Sequence, residues 1–419
     1  MITQAQQQSI NAVLAHPHVQ RIFALLNANG EELRIVGGAV RNALMDRPIA
    51  DVDFATTALA PEVMKRAQQA GIKAVATGLE HGTITLVLDH LPYEITTLRE
   101  DVVTNGRHAL VRFGRDFHQD ALRRDFTINA LSASIDGYVH DYTNGIHDAH
   151  HHIVRFIGDP HTRIREDYLR ILRFFRFSSD YGNNVLEPHG LQAVIELSQG
   201  IKQLSRERIQ IESLKILLTK NVIQTIHVMI VSGIAEFIWG KTLHEARLKR
   251  LLMQGFTQNN TVQSTNLSIS RLAALCVSSL DDALRLREAL RLSKAQSHFL
   301  EQYARAIKLL ENTPLPVDEA VIKRLAYQYG IETTLCAVSA YVDSADCQIE
   351  AQQLLRACAQ GLYTPPIFPL KGSDLIAAGI PRGPEVSKTL KAIEKRWITQ
   401  GFPLKKSTSE FIEMFNIKY

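Results

Sequence analysis

The sequence predicts an α+β protein, in which a head built on a small mixed sheet precedes an all-helical remainder. Three observations carry that expectation. Between residues 33 and about 155, short β-type runs ("LRIVGG", "ADVDFATT", "GTITLVLD", "YEITTLR") alternate with helical segments. Beyond about residue 160 they give way to amphipathic stretches such as "REDYLRILRFFRFSSDYG" and "SRLAALCVSSLDDALRLREALRLSKAQSHFLEQYARAIKLLEN", whose apolar residues recur at helical spacing. A length of 419 residues also exceeds one ordinary core, which implies roughly two to four domains or a head with a helical extension.

The elements follow in order. In residues 1–30 the positions Ile10, Val13, Leu14, Ile22, Phe23 and Leu26 keep helical spacing until "NANG" stops them, giving a leading helix or two. The head is expected over 31–155. In it "IVGGAVRNAL" reads as a buried strand, a Gly-Gly turn and a helix from near Ala39, and "ADVDFATT" as the next strand. The charged, turn-rich stretch 99–122 reads as a mobile loop near a site. Helical parts then span 156–255, 256–362 and 363–419, with breaks where Pro, Asn and Ser cluster at 257–266, 312–318 and 363–372. No fixed-period repeat interrupts the order.

Composition narrows the class. With 45% apolar and 21% charged residues the chain reads as a folded, soluble protein. A net charge of +4 permits a polyanionic partner without requiring one. Cys276, Cys336, Cys347 and Cys358 form no C-x-x-C pair, which fits reduced thiols in a cytoplasm. The N-terminus lacks a basic segment followed by an apolar one, and no window reaches about 18 apolar residues. A cytoplasmic protein with no membrane partner is expected.

The chemistry concentrates in three clusters. In a strand, Asp51 and Asp53 would point to one face about 6.5 Å apart, while Val52 and Phe54 face the core. Two carboxylates with no cation between them repel, and a hard divalent ion resolves the repulsion; two Mg²⁺ ions can activate a hydroxyl and neutralise a leaving pyrophosphate. The plainer reading is an Asp-rich turn capping a helix. Upstream, Gly37 and Gly38 leave backbone N–H groups open to a phosphate, and Arg41 adds a charged fork. Together these are a minimum kit for metal-assisted phosphoryl or nucleotidyl transfer. In "RRDFTINAL", Arg124 can meet a triphosphate, while Asp125 and Asn129, one turn apart on a helix start, offer an acceptor and an amide to ribose hydroxyls. His140, His147 and the consecutive His150, His151 and His152 suggest zinc or a metal phosphohydrolase. Both readings are rejected, because three consecutive side chains in a turn before a strand cannot face one ion.

In "REDYLRILRFFRF", Asp167, Arg170, Arg173 and Arg176 recur at i+3 on a helix. As an ion-pair ladder this is worth only ~0.2–0.5 kcal/mol per pair. Another reading is sharper. Cytosine and adenine present an amino donor beside a ring-nitrogen acceptor, and uracil and guanine the reverse. An accepting aspartate beside a donating arginine therefore suits C and A and leaves groups unpaired against U and G. Glu94 in "YEITTLR" is either a third metal carboxylate or an edge-strand charge.

"GGAVRN" with "DVDFAT", "RRDFTINAL" and "REDYLR" resembles the G-G-x-V-R-D … D-x-D, R-R-D-F-T-x-N-A and E-D-x-x-R motifs of the class II tRNA nucleotidyltransferases and bacterial poly(A) polymerases, of the polymerase β type. Asn42 departs from the usual Asp. The resemblance implies a nucleotidyltransferase head carrying two Mg²⁺ on Asp51 and Asp53, and a neck whose Asp167 and Arg170 select CTP and ATP. It adds Arg173 and Arg176 as further nucleotide contacts, and a flexible loop near 99–122 that switches C to A addition. The strong likeness spans roughly 33–180; "LKGSDLIAAGIPRGPEVSKTLKAIEKRWITQGF" is similar to a tail element of CCA-adding enzymes, whose basic helices suit an RNA stem. Implied partners are tRNA, CTP and ATP. The expected activity is untemplated CCA addition to tRNA 3′ ends, with a poly(A) polymerase, a CC-only or A-only enzyme, or an inactive tRNA-binding protein as rivals.

Overall fold

The computed structural model describes residues 2–78, 82–105, 108–183, 185–254 and 264–403, with backbone alone at 100–105, 108–112 and 264–266. The chain forms two compact units, Met1–Ile238 and Trp239–Tyr419.

The first unit begins with helices α1 (Gln4–Leu14) and α2 (Pro17–Leu26). A Thr3–Gln6 capping box starts the former and Pro17 at the first turn the latter. There follow β1 (Leu33–Val36), α3 (Gly38–Leu44), β2 (Asp53–Thr56), α4 (Ala60–Gln69), β3 (Lys73–Gly78), β4 (Thr83–Leu88) and β5 (Leu91–Thr97). Next come β6 (Arg99–Asn105), β7 (His108–Phe113), α5 (Phe117–Leu122), a 3₁₀ turn at Thr127–Asn129, β8 (Ser132–Ala133), β9 (Val139–His140) and α6 (Gly145–His150). The helices α7 (Pro160–Glu166), α8 (Leu169–Tyr181), α9 (Pro188–Glu196), α10 (Arg206–Leu218), α11 (Val222–Val231) and α12 (Ile234–Trp239) complete the series.

Seven strands make one mixed sheet in the order β3-β4-β5-β2-β1-β8-β9. The β2–β5 pair is parallel and its other pairs are antiparallel. Two registers position the site. Val36 faces Asp53, so the chain leaving β1 turns beside the start of β2. Phe54 faces Ile95, so one residue back Asp53 and Glu94 stand side by side. On the other side of the strand Phe54 is fully buried and meets Phe23 edge-on at 5.8 Å. A second aromatic cluster, Phe126, Phe156, Phe174 and Phe177, packs α8 against the Asp125–Asn129 segment.

Two expectations need correction. The 99–122 stretch is not an irregular loop: β6 and β7 form a separate two-stranded antiparallel ribbon, and α5 follows it. Its β-branched and aromatic residues sit among charges that mask the strand pattern, but Asn105-Gly106 is a hairpin signal. The strand expected in "RFIGDP" is a single bridge, Phe126 to Phe156, and His147 and His150 lie on α6 ahead of it.

The second unit contains α13 (Glu245–Met253), α14 (Ser264–Cys276), α15 (Leu280–Leu290), α16 (Lys294–Glu311), α17 (Glu319–Tyr329), α18 (Ile331–Tyr341), α19 (Ile349–Ala359), α20 (Gly372–Ala377) and α21 (Pro384–Thr399). Leu370, Leu375, Ile380, Ile393 and Trp397 form a core around which Tyr327, Phe368 and Phe402 pack, fastening α20 and α21 to α17. All four cysteines are buried, unpaired thiols, and burial pushes the Cys358 thiol up to about 11. The break expected at 257–266 and the last part of the tail fall largely outside the described residues. Among the described residues no helix is long and apolar enough to cross a membrane.

Candidate active site

A cavity of about 460 Å³ in the first unit collects Gly37, Gly38, Arg41, Asp53, Glu94, Arg124, Asp125, Asn129, Asp167, Arg170 and Arg173. Asp51 and Arg176 are the sequence-predicted residues that do not line it.

At its rim the chain leaves β1 through Gly37, whose φ of +63° and the Arg124 Nη1 atom 3.3 Å from where a Cβ would sit both call for glycine. The same turn brings α3 and Arg41 to the cavity. Arg41 is buried, and burial lowers its pKa. Its hydrogen bonds go to neutral acceptors: Asn129 Oδ1 at 2.6 Å, the Tyr181 hydroxyl at 2.6 Å, and Asn42 Oδ1 at 3.0 and 3.2 Å. The Tyr181 ring lies 4.0 Å away. This positive charge is oriented by its neighbours without being neutralised by them.

The same cavity holds carboxylates, Asp53 and Glu94. Desolvation in the cavity wall, then the charges of Glu94 and Asp51, push the Asp53 carboxyl above its ordinary value, while Arg124 opposes them. Glu94 is no edge charge, because β5 lies inside the sheet between β4 and β2. Asp51 is not on the strand with Asp53: β1 ends at the Gly37 turn, so residues 51 and 52 have no ladder partner and β2 starts at Asp53. Exposed Asp51 lines a different cavity, of about 540 Å³, beside α1, α2 and β5. Among the described residues no three metal-binding side chains are preassembled. The three consecutive histidines have separate partners: His150 meets Gln6, His151 the His147 carbonyl and His152 that of Tyr181.

A buried polar chain backs the cavity. Asp120, absent from the sequence reading, holds Arg123 at 2.5 Å and Arg124 at 3.1 Å. Burial pushes its carboxyl up, but the two guanidiniums outweigh that and hold it below its ordinary value. The i+3 and i+4 spacing in "DALRR" was its signal. Asp125 and Asn129 do not share an α-helix; Asn129 ends a 3₁₀ turn and donates 3.0 Å to Asp125, which Arg173 meets at 2.6 Å. Burial likewise raises Asp125, and Arg173 and Asn129 more than reverse it.

The expected i+3 ladder breaks at its first member. Asp167 is extended, with φ −155° and ψ 106°, between α7 and α8. Its Oδ1 accepts the Leu169 N–H at 3.1 Å, and its Oδ2 accepts from Arg208 Nη2 at 2.7 Å. Arg170 pairs instead with Glu166 at 2.6 Å and donates to the carbonyls of Arg163 and Arg123. Arg176 turns away to buried Glu212 at 2.6 Å. Arg208 and Glu212 were missed because their partners lie more than thirty residues away, where no local spacing reports them.

Residues 33–155 match the model for the Poly A polymerase head domain, and 185–243 that for the Probable RNA and SrmB- binding site of polymerase A. The chain is 33% identical to the mitochondrial CCA tRNA nucleotidyltransferase 1 of Homo sapiens, over 94% of this chain and 91% of that protein. It is 33% identical to the CCA-adding enzyme of Limosilactobacillus fermentum over 90% of each. The chain belongs to the CCA tRNA nucleotidyltransferase family. Among solved structures, the Bacillus stearothermophilus CCA-adding enzyme in complex with CTP superposes with a TM-score of 0.69 at 23% identity over 98% of each chain. The Thermotoga maritima CCA-adding enzyme complexed with tRNA does so at 0.67 and 19% over 97% of each. The fold is thus that of CCA tRNA nucleotidyltransferases. Within that family frame, the cavity collects the carboxylates Asp53 and Glu94 together with Asp167 and Arg170, all within one unit.

Proposed function

We propose that the chain extends the 3′ end of tRNA by C, C and A, taken from CTP and ATP without a nucleic-acid template, and releases pyrophosphate. The observation that carries the reading is the meeting of Asp53 and Glu94 with Asp167 and Arg170 in one cavity. It pairs carboxylates suited to the chemistry with a donor and an acceptor suited to choosing the base.

The carboxylates fit a divalent cation. Asp53 and Glu94 are hard oxygen donors side by side, and the charge crowding that raises Asp53 is what a cation would relieve. Two Mg²⁺ held by Asp53 and Glu94, and by Asp51, whose charge reaches Asp53 although it lines the neighbouring cavity, would supply activation of the tRNA hydroxyl and charge neutralisation on the leaving pyrophosphate. The chain's own groups do the rest. Arg41, Arg124 and the Gly37–Gly38 turn bind and align the triphosphate, the first as a charge already stripped of water. Asp125 and Asn129 hold Arg173 and Arg41 to the cavity and meet the ribose from the same wall. Asp167 accepts from the amino group shared by cytosine and adenine, and Arg170 donates to the neighbouring ring nitrogen. Uracil and guanine would leave those groups unpaired. The unpaired thiols suit a reducing compartment such as the cytoplasm.

The test is incorporation by purified protein with Mg²⁺ and a tRNA lacking its 3′ end, given each nucleotide singly and CTP with ATP. Two C residues with CTP and a completed CCA with both are expected. No incorporation overturns the reading; long A tails on any RNA, or arrest after two C with ATP present, replace it with a poly(A) polymerase or a partial enzyme.

A further inference from the structure

The two base-reading side chains are anchored unequally. Arg170 is held by Glu166 at 2.6 Å and by the carbonyls of Arg163 at 2.9 Å and Arg123 at 3.0 Å, so its guanidinium is fixed from three sides. Asp167 lies in the extended link between two helices. One carboxylate oxygen takes the Leu169 N–H, a local contact that leaves the carboxylate plane free to rotate about it. Among the described residues, the contact that fixes that plane is the one at the second oxygen, from Arg208 at 2.7 Å. Arg208 stands in the first turn of α10, whose start is set by Ser205 accepting the Arg208 N–H, and α10 packs along α8. Arg208 itself does not line the cavity.

We propose that Arg208 is a specificity-determining positioning residue: it sets the Asp167 carboxylate where it can accept only from the exocyclic amino group of cytosine or adenine. The inference rests on the reading of Asp167 given above. The pair is about a quarter exposed on both sides, at 28% and 24%, so its weight as a stabilising ion pair is small and its effect is on geometry. A carboxylate that rotates toward the ring-nitrogen position would accept the N–H of uracil, which the correctly set group refuses.

The test measures kcat/KM for CTP and for UTP on tRNA lacking its 3′ end, using the full-length wild type, Asp167→Ala, Arg208→Ala, Arg208→Lys and the Asp167→Ala/Arg208→Ala double variant. Arg208→Ala is expected to lower the CTP-to-UTP preference by about 10-fold or more. Arg208→Lys should restore part of it, and the double variant should discriminate like Asp167→Ala alone, since Arg208 acts through that carboxylate. Wild-type preference in Arg208→Ala, or additive losses in the double variant, overturn the inference while leaving the Asp167 reading intact. Wild-type preference in Asp167→Ala overturns both. If thermal melting shows Arg208→Ala unfolded, Arg208→Met, which keeps the aliphatic stem but has no donor, is judged by the same outcomes.

Discussion

Asp53 and Asp125 are both carboxylates of the cavity wall, and the protein shifts them in opposite directions. Asp53 is raised, so the folded state disfavours its ionised form. Its contribution to stability is present at low pH and lost as pH rises through the folded value. Asp53→Asn should therefore melt slightly higher than wild type at neutral pH, while nucleotide incorporation falls by about 10³-fold or more. Melting curves and incorporation rates on one preparation check this, and a lower melting temperature at neutral pH would contradict the charge crowding. Asp125 is lowered because Arg173 and Asn129 outweigh its burial. The unfolded chain then binds more protons between the two values, so its stabilisation is present above the unfolded value and lost as pH falls through the folded one. Asp125→Asn should melt below wild type at neutral pH, and the gap should close on acidification. These signs were not legible in the sequence. "DVDFAT" and "RRDFT" display carboxylates near arginines, but which charge is crowded and which is paired depends on the β2–β5 register and on a partner 48 residues away.

At the scale of elements, the strands and helices whose apolar period matched their burial were legible. The "LRIVGG" run is β1 with all four residues buried, and "REDYLRILRFFRF" does carry α8. What spacing could not reveal was the break at Asp167, because i+3 recurrence continues through an extended residue without changing its pattern. Nor could it show α10 coming to lie along α8. That packing places buried Glu212 2.6 Å from Arg176 and 4.0 Å from Arg173, the arginine that also holds Asp125. Removing the carboxylate leaves two largely buried guanidiniums without their shared partner. Glu212→Ala should cost about 3 kcal/mol of stability, and Glu212→Gln, which keeps an acceptor, less. Denaturant titration of the two variants checks the order. A loss as large in Gln as in Ala would assign the effect to charge alone.

On the scale of the whole molecule, the cavity and its supporting helices lie within the unit that ends at Ile238, while the basic helix α21 belongs to the other. In that second unit α17 and α21 bound a cavity of about 580 Å³ lined by Arg324, Lys391 and Lys395. Its one carboxylate, Glu394, is engaged by the Tyr327 hydroxyl. With three cations lining it against that one carboxylate, this face is more positive than the near-balanced composition of the chain, and a phosphate backbone is the polyanion that a CCA tRNA nucleotidyltransferase meets. If this face holds tRNA, each lysine contributes counterion release as well as attraction. The Lys391→Ala/Lys395→Ala variant should bind tRNA more weakly at moderate salt, and its slope of log affinity against log salt should be shallower by about 1–2. With tRNA saturating, its rate of C addition and its preference for CTP over UTP should match wild type, because Asp167 and Arg170, the residues proposed to read the base, lie in the other unit. Titrations of tRNA binding over a series of salt concentrations, run beside saturating incorporation assays, separate the two effects. An unchanged slope would mark the face as merely solvated, and an altered nucleotide preference would show that the second unit reaches into base selection.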